Sequence, residues 1–205
     1  MAFARHEPTH AYYDRRAPEY DDWWRGTGLF EERERPGWEA ETADVVALVA
    51  GLAPGRTLDI ACGTGFLTGH LRGLAVGLDQ SASMVAIAQS RLPDGLALVG
   101  DALDLPFADG AFDRILTSHF YGHLPPDERA TFLAQARRVA RELVVVDSAA
   151  RDGVEPEQWQ ERVLSDGSRH RVFKRYLAAG ELAREIGGEP WYDGRWFVAA
   201  RAAWS

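Results

Sequence analysis

Apolar residues recur along this chain at two spacings that take turns. Val45, Leu48, Val49 and Leu52 stand at i, i+3, i+4 and i+7, so a helix is expected from Pro36 to a stop at Pro54-Gly55. Short apolar runs at 57–61, 74–78, 96–100 and 112–118 then predict strands. Between them, 83–92 places Met84, Ala88 and Leu92 on one helical face, and a helix-like stretch runs from Gly65 to Arg72. A longer helix is expected over 126–140, with Phe132, Leu133, Ala136, Val139 and Ala140 inward and a proline in its first turn. The wholly apolar run 143–146 suits a parallel strand covered on both faces. Strands and helices alternating in this way imply right-handed βαβ units, an α/β fold with a doubly wound sheet. The tail breaks the rhythm. Runs at 163–164 and 172–176 around Asp166-Gly167 predict a hairpin closed by a tight turn. A helix over 180–186 follows, then two short strands, near Trp191 and over 196–200, joined at Asp193-Gly194 to complete an antiparallel edge.

A length of 205 residues suits one domain. With 46% hydrophobic and 26% charged residues, a disordered or collagen-like chain is excluded. The first 38 residues mix Tyr12, Tyr13, Tyr20, Trp23, Trp24, Phe30 and Trp38 with many charges, a composition suited to an aromatic lid. The expected division is therefore a lid (1–38), a binding core (39–150), a hairpin over the site (151–178) and a C-terminal helix with edge strands (179–205). A net charge of −8 disfavours nucleic acid or an anionic membrane as partner. The lone Cys62 suits a reducing compartment. The first residues, with Arg5 and His6, carry no apolar segment, and no run approaches the roughly 18 residues of a membrane span. A cytoplasmic monomer or homodimer acting on a small molecule, with no metal, is the expectation.

Chemistry concentrates after the first strand, in Leu58-Asp59-Ile60-Ala61-Cys62-Gly63-Thr64-Gly65. Glycines here let the backbone approach a ligand closely, and a following helix start would offer free amides. Asp79 ends the second strand 14 residues after Gly65, where a carboxylate suits a ribose diol. Asp101 ends the third, where it suits an adenine amino group. A nicotinamide fingerprint would need glycine at position 68, which is Thr68. A cofactor-binding subunit without catalysis is the alternative of a different class.

These motifs, with Gly77-Leu78-Asp79-Gln80-Ser81, Met84, Gly100-Asp101-Ala102, Leu105-Pro106-Phe107, Phe112-Asp113 and Tyr12-Tyr13-Asp14, resemble the class I S-adenosylmethionine-dependent methyltransferases. The resemblance covers roughly residues 12–147. It implies a Rossmann-like seven-stranded sheet whose last strand is antiparallel, and S-adenosyl-L-methionine as cofactor. It also implies that Ala61, Gly63 and Gly65 line the methionine part, with Asp59 beneath and Tyr20 nearby. Asp79 would hold the ribose, Gln80 and Met84 would flank the adenine, and Asp101 with Ala102 would read its edge. Ser118 is counted with this group. The family's usual Pro-Gly-Gly turn before the fifth strand is absent; Val139-Ala140-Arg141-Glu142 stands there.

Acceptor groups are expected above the strand ends and from the lid: Tyr13, Trp23, His119 and Tyr121. His119 is the candidate base, and His123 is expected to close the turn into the next helix. The tail hairpin carries Arg162, Arg169, Arg171, Lys174 and Arg175 against Asp166. It resembles the hairpin of small-molecule methyltransferases that include a phosphonate O-methyltransferase, with Arg162 and Lys174 at matching places. That implies O-methylation of a carboxylate- or phosphonate-like metabolite. Methylation of a neutral hydroxyl or amine with His119 as base is the alternative.

Overall fold

A computed structural model of the chain describes residues 7–204; Arg5 and His6 lie outside the described residues. The helices are α1 (Glu7–Arg16), α2 (Asp22–Arg25), α3 (Trp38–Gly51), α4 (Ala82–Arg91), α5 (Pro126–Val139) and α6 (Ala179–Ile186). The strands are β1 (Gly55–Ile60), β2 (Gly73–Asp79), β3 (Leu96–Val99), β4 (Arg114–Ser118) and β5 (Glu142–Ser148). Four more follow: β6 (Glu157–Val163), β7 (Arg169–Arg175), β8 (Glu189–Asp193) and β9 (Phe197–Ala203).

Seven strands form one sheet in the order β3-β2-β1-β4-β5-β9-β8. The first five pair in parallel, and β9 runs antiparallel to both β5 and β8. Side-chain alternation explains how both faces are sealed. Leu143 and Val145 of β5 join α5 and α6 on one side, through Phe132, Ala136, Leu182 and Ile186. Val144 and Val146 join α3 and the lid tryptophans Trp24 and Trp38 on the other. All seven residues of β5 are buried, so this strand forms the centre of the apolar core.

The expected helix from Gly65 to Arg72 is not formed; Thr68–His70 makes only one 3₁₀ turn. Length is the reason. Six residues of β1 span about 20 Å, and the chain must return that far to begin β2. The eight residues 65–72 coiled as α-helix would cover about 12 Å, so the connection stays more extended.

The tail hairpin also departs from expectation. Its first arm is the seven-residue β6, and the loop 164–168 has five residues rather than a two-residue turn. Gly167 alone supplies the positive φ there, +81°. Paired only with each other, β6 and β7 stand apart from the main sheet. Alternation turns Gln158, Gln160, Arg162, Val172 and Lys174 towards the protein and leaves Trp159 and Val163 exposed.

Candidate functional site

Two cavities meet at the carboxyl ends of the parallel strands, the place where an open α/β sheet presents its loops. The first is lined by Tyr13, Tyr20, Ala61, Gly63, Asp79, Gln80, Met84, Asp101, Ala102, Ser118 and His119, all anticipated from the sequence. Leu78, Gly100, Phe120 and His123 complete its wall. Among the described residues, only Ala61 and His119 have positive φ without being glycine, +56° and +52°. They end the neighbouring strands β1 and β4. Strain of this kind persists where the fold over-determines a site.

Asp79 is held by two amides: Gly63 N donates to its Oδ2 at 2.9 Å and Ser81 N to its Oδ1 at 2.9 Å. A carboxylate accepts about four hydrogen bonds, so lone pairs remain for a diol. Burial raises its pKa, and those two amides work against the rise. Asp101 accepts from Leu103 N at 2.8 Å, which fixes the loop after β3. Gly63 is needed for space as well as conformation, because a Cβ there would lie 3.1 Å from the Tyr20 ring.

Two expected cofactor contacts lie behind the wall. Gly65 faces α4, where a Cβ would meet Ala88 at 3.2 Å, so its role is close packing of the loop. Asp59 sits beneath, accepting from Thr68 Oγ1 at 2.5 Å on Oδ2 while Oδ1 is buried without a partner. Burial first, and the charge of Asp79 in addition, push its carboxyl up to about 7 against the Thr68 bond.

The lid is fastened over this cleft by polar contacts. Asp21 accepts from Thr64 Oγ1 at 2.5 Å and from Arg91 Nη2 at 2.5 Å. Asp14 accepts from Ser81 Oγ at 2.5 Å, at the start of α4. Both acids belong to the N-terminal motif Tyr12-Tyr13-Asp14 and Tyr20-Asp21 that resembles the family, but only their partners across the fold reveal the role.

The second cavity, of about 620 Å³, lies between the lid and the hairpin. Tyr13, Tyr20, His119 and His123 line both cavities and so form their common boundary. Trp23, Arg162 and Lys174 line the second, as expected. Tyr121 does not: it is 1% exposed, packs on Phe132 and donates to Glu185 Oε2 at 3.0 Å, a core position.

Lys174 is not free to grip an anion. Its Nζ donates to Asp147 Oδ1 at 2.5 Å, with both side chains almost fully buried. Asp147 also accepts from Gly122 N at 2.8 Å and Ser148 N at 2.7 Å. Burial opposes its ionisation, but Lys174 and the two neighbouring histidines hold its carboxyl below the usual range. An acid directly after the apolar run 143–146 of β5 was a legible signal for this group.

His119 packs against Trp23, Trp24 and Phe197 at 4.5, 5.0 and 5.5 Å between centroids. Its Nδ1 is 3.3 Å from Ser148 Oγ and its Nε2 is buried without a partner. Burial, then the charge of Lys174, lower its pKa to about 3 against the pull of Asp147. The imidazole is neutral near pH 7 and weakly basic. His123 is shifted to about 3 by the same two causes, and its Nδ1 meets the carbonyl of Phe173, which ties its turn to the hairpin.

The arginines of the second cavity stand differently. Arg16 of α1, Arg33 and Arg35 of the lid, Arg151 after β5 and Arg162 of β6 all line it, and among the described residues none has a carboxylate within ion-pair distance. Arg16 lies over the rings of Tyr12, Tyr20 and Phe30, and Arg33 over Phe30. Partial burial lowers the Arg33 pKa, and repulsion from Arg162 and Arg16 adds to it. Arg16 and Arg33 carry no sequence signal, since convergence from three separate elements is a property of the fold.

Among the described residues no helix is long and apolar enough to cross a membrane, and no cluster of His, Cys, Asp and Glu could hold a metal.

Residues 58–144 match the methyltransferase domain family model. A demethylmenaquinone methyltransferase of Thermotoga maritima is 39% identical over 102 residues, 47% of this chain and 44% of that protein. One from Renibacterium salmoninarum is 34% identical, covering 64% of this chain and 53% of its own length. The chain thus spans about half the length of these curated relatives. The complex of DhpI with SAM and HEP is 27% identical with a TM-score of 0.74, over 95% of each chain. The DhpI complex with SAH is 25% identical with a TM-score of 0.72, covering 97% of this chain and 96% of that one. The chain therefore has the class I S-adenosylmethionine-dependent methyltransferase fold, and its residues 58–144 match the methyltransferase domain model.

Proposed function

We propose that the chain transfers the methyl group of S-adenosylmethionine to an oxygen of a small anionic acceptor, carboxylate- or phosphonate-like, held by Arg162 with Arg16 and Arg33. The observation that carries this reading is the convergence of unpaired guanidinium groups, those of Arg16, Arg33 and Arg162 among them, in a cavity sharing a wall with the first cleft. The DhpI complex with SAM and HEP supports a donor and a second ligand held together in this fold.

The residues of the first cleft fit the donor. Asp79 has spare acceptor capacity for a ribose diol, Asp101 and the Ala102 amide stand where an adenine edge would lie, and Met84 and Leu78 supply apolar walls. The orphaned Oδ1 of Asp59 suits an ammonium group above it, directly or through water. When bound, S-adenosylmethionine supplies a methyl group already activated for in-line displacement.

The protein's own work is then alignment and exclusion of water. Arginine suits an oxyanion because its donors form a fork, and the rings beneath Arg16 and Arg33 hold those forks in place. An oxyanion arrives deprotonated, so no residue must remove a proton. Tyr13, Tyr20 and His119 wall off the boundary from solvent, with Trp23 packed behind His119. The Lys174–Asp147 pair anchors the hairpin above the site rather than contacting the acceptor through a free charge. The second reading, a neutral acceptor with His119 as base, has the position of His119 at the boundary in its favour. Its low basicity argues against it.

The test is formation of S-adenosylhomocysteine across a panel of small carboxylates and phosphonates, with wild type and Arg162→Ala. Loss of a charge-assisted contact is expected to raise acceptor KM by about ten- to a hundredfold while donor affinity stays unchanged. Identical acceptor kinetics in the two proteins would remove the anion reading.

A further inference from the structure

Arg16, Arg33 and Arg162 account for one oxyanion. The same cavity also carries Arg151, which this occupant leaves unused. Arg151 and Trp196 line the second cavity and also a third, outer one of about 590 Å³, where Arg195 and Asp152 join them. The two spaces thus adjoin at Arg151 and Trp196.

The indole of Trp196 is a fixed platform at that junction. Its Nε1 donates to Pro36 O at 2.9 Å, and Glu41 accepts from the amides of Arg195 at 3.0 Å and Trp196 at 2.9 Å. The Arg151 guanidinium lies over this indole, 4.5 Å from its centroid, and that of Arg195 lies 5.6 Å away. Among the described residues neither arginine has a carboxylate within ion-pair distance; Asp152 is the one acid on this wall and pairs with neither. A guanidinium stacked on a ring keeps its in-plane donors free, so the mouth offers preorganised, unspent hydrogen-bond donors. In a chain of net charge −8, unpaired arginines line both adjoining cavities, so an occupant reaching from one into the other meets cations in each.

We infer that the acceptor is elongated and carries a second oxyanion, received at the outer mouth by Arg151 and Arg195 against Trp196. This rests on the anionic-acceptor reading above and adds a specificity for the far end of the molecule. The first group binds near the methyl donor, and the second fixes reach and orientation.

The experiment compares singly charged alkyl acids and alkylphosphonates with ω-carboxylated homologues of matched length, using wild type, Arg195→Gln and Arg195→Glu. Arg195 is exposed and lies outside the boundary site, so thermal unfolding of the variants should match wild type. In wild type, kcat/KM should rise about tenfold for the doubly charged series at an optimal spacer length. Arg195→Gln should abolish that preference, Arg195→Glu should reverse it, and the singly charged series should be unchanged in both. Equal kcat/KM for the two series in wild type, or a loss shared by both series in Arg195→Gln, overturns the second-oxyanion site and leaves the anionic-acceptor reading standing. Turnover of neither series, with donor binding intact, overturns both.

Discussion

His119 and His123 are held between opposing influences that decide their charge. Asp147 favours an imidazolium, whereas burial and the Lys174 ammonium oppose it, and the opposition wins because Lys174 already neutralises the aspartate. The physical consequence is visible without any substrate. Of the six histidines, His119 and His123 should show ring proton resonances that stay flat from about pH 5 to pH 8, whereas an ordinary imidazole titrates near 6.5. A midpoint near neutrality for His119 would restore it as a base. Their neutrality was not legible beforehand. The residue types stand in the sequence, but the sum of Lys174, Asp147 and three aromatic rings around one imidazole exists only after β5, β7 and the lid have come together.

Elements meet at the site through small residues that permit close approach. The turn after β4 carries Gly122, whose Cβ, if present, would lie 2.6 Å from the Arg175 carbonyl and 3.1 Å from Asp147 Oδ1. Substitution there pushes the hairpin off the sheet. Gly122→Ala should destabilise the fold by about 1–3 kcal/mol, as overpacking does, and raise acceptor KM more than it weakens donor binding. Calorimetry and acceptor kinetics check this; an unaltered unfolding temperature would mean that the hairpin is not pressed on this turn. The strands and α4 to α6 follow their apolar periodicity closely because each buries one face or both. The stretch after Gly65 shows the limit of that logic: its residues tolerate a helix, yet the return path to β2 leaves no length for one. The hairpin's first arm was read too short because its inward positions are Gln158, Gln160 and Arg162, so no apolar face marks the strand.

For the molecule as a whole, stability carries the imprint of the cleft. Asp59 has a carboxyl pushed up to about 7 in the fold, against roughly 3.9 when unfolded. As pH rises from about 4, the unfolded chain ionises this group first, so folded stability falls until pH passes about 7. Without donor present, Asp59→Asn should therefore gain on wild type by on the order of 2 kcal/mol between pH 5 and pH 8. Denaturant unfolding at the two pH values measures it. A constant gap would show Asp59 to be ionised throughout.

The linear order of residues was enough for the doubly wound sheet, the glycine loop and the acids at the ends of β2 and β3. Periodicity and loop chemistry are local, and each strand carries its own chemistry to the same edge. Asp79 and Asp101 line the cleft because the neighbouring parallel strands β2 and β3 deliver them there in register, and Met84 because α4 begins just after β2. Folding alone settled which cations are free. Arg162 stays unpaired while Lys174 is spent on Asp147, and Arg16 and Arg33 arrive from the lid to join Arg162. Charge compensation depends on distances between segments that are 27 residues apart for Lys174 and Asp147 and more than a hundred for Arg162 and the lid arginines, and no spacing within one segment encodes those distances.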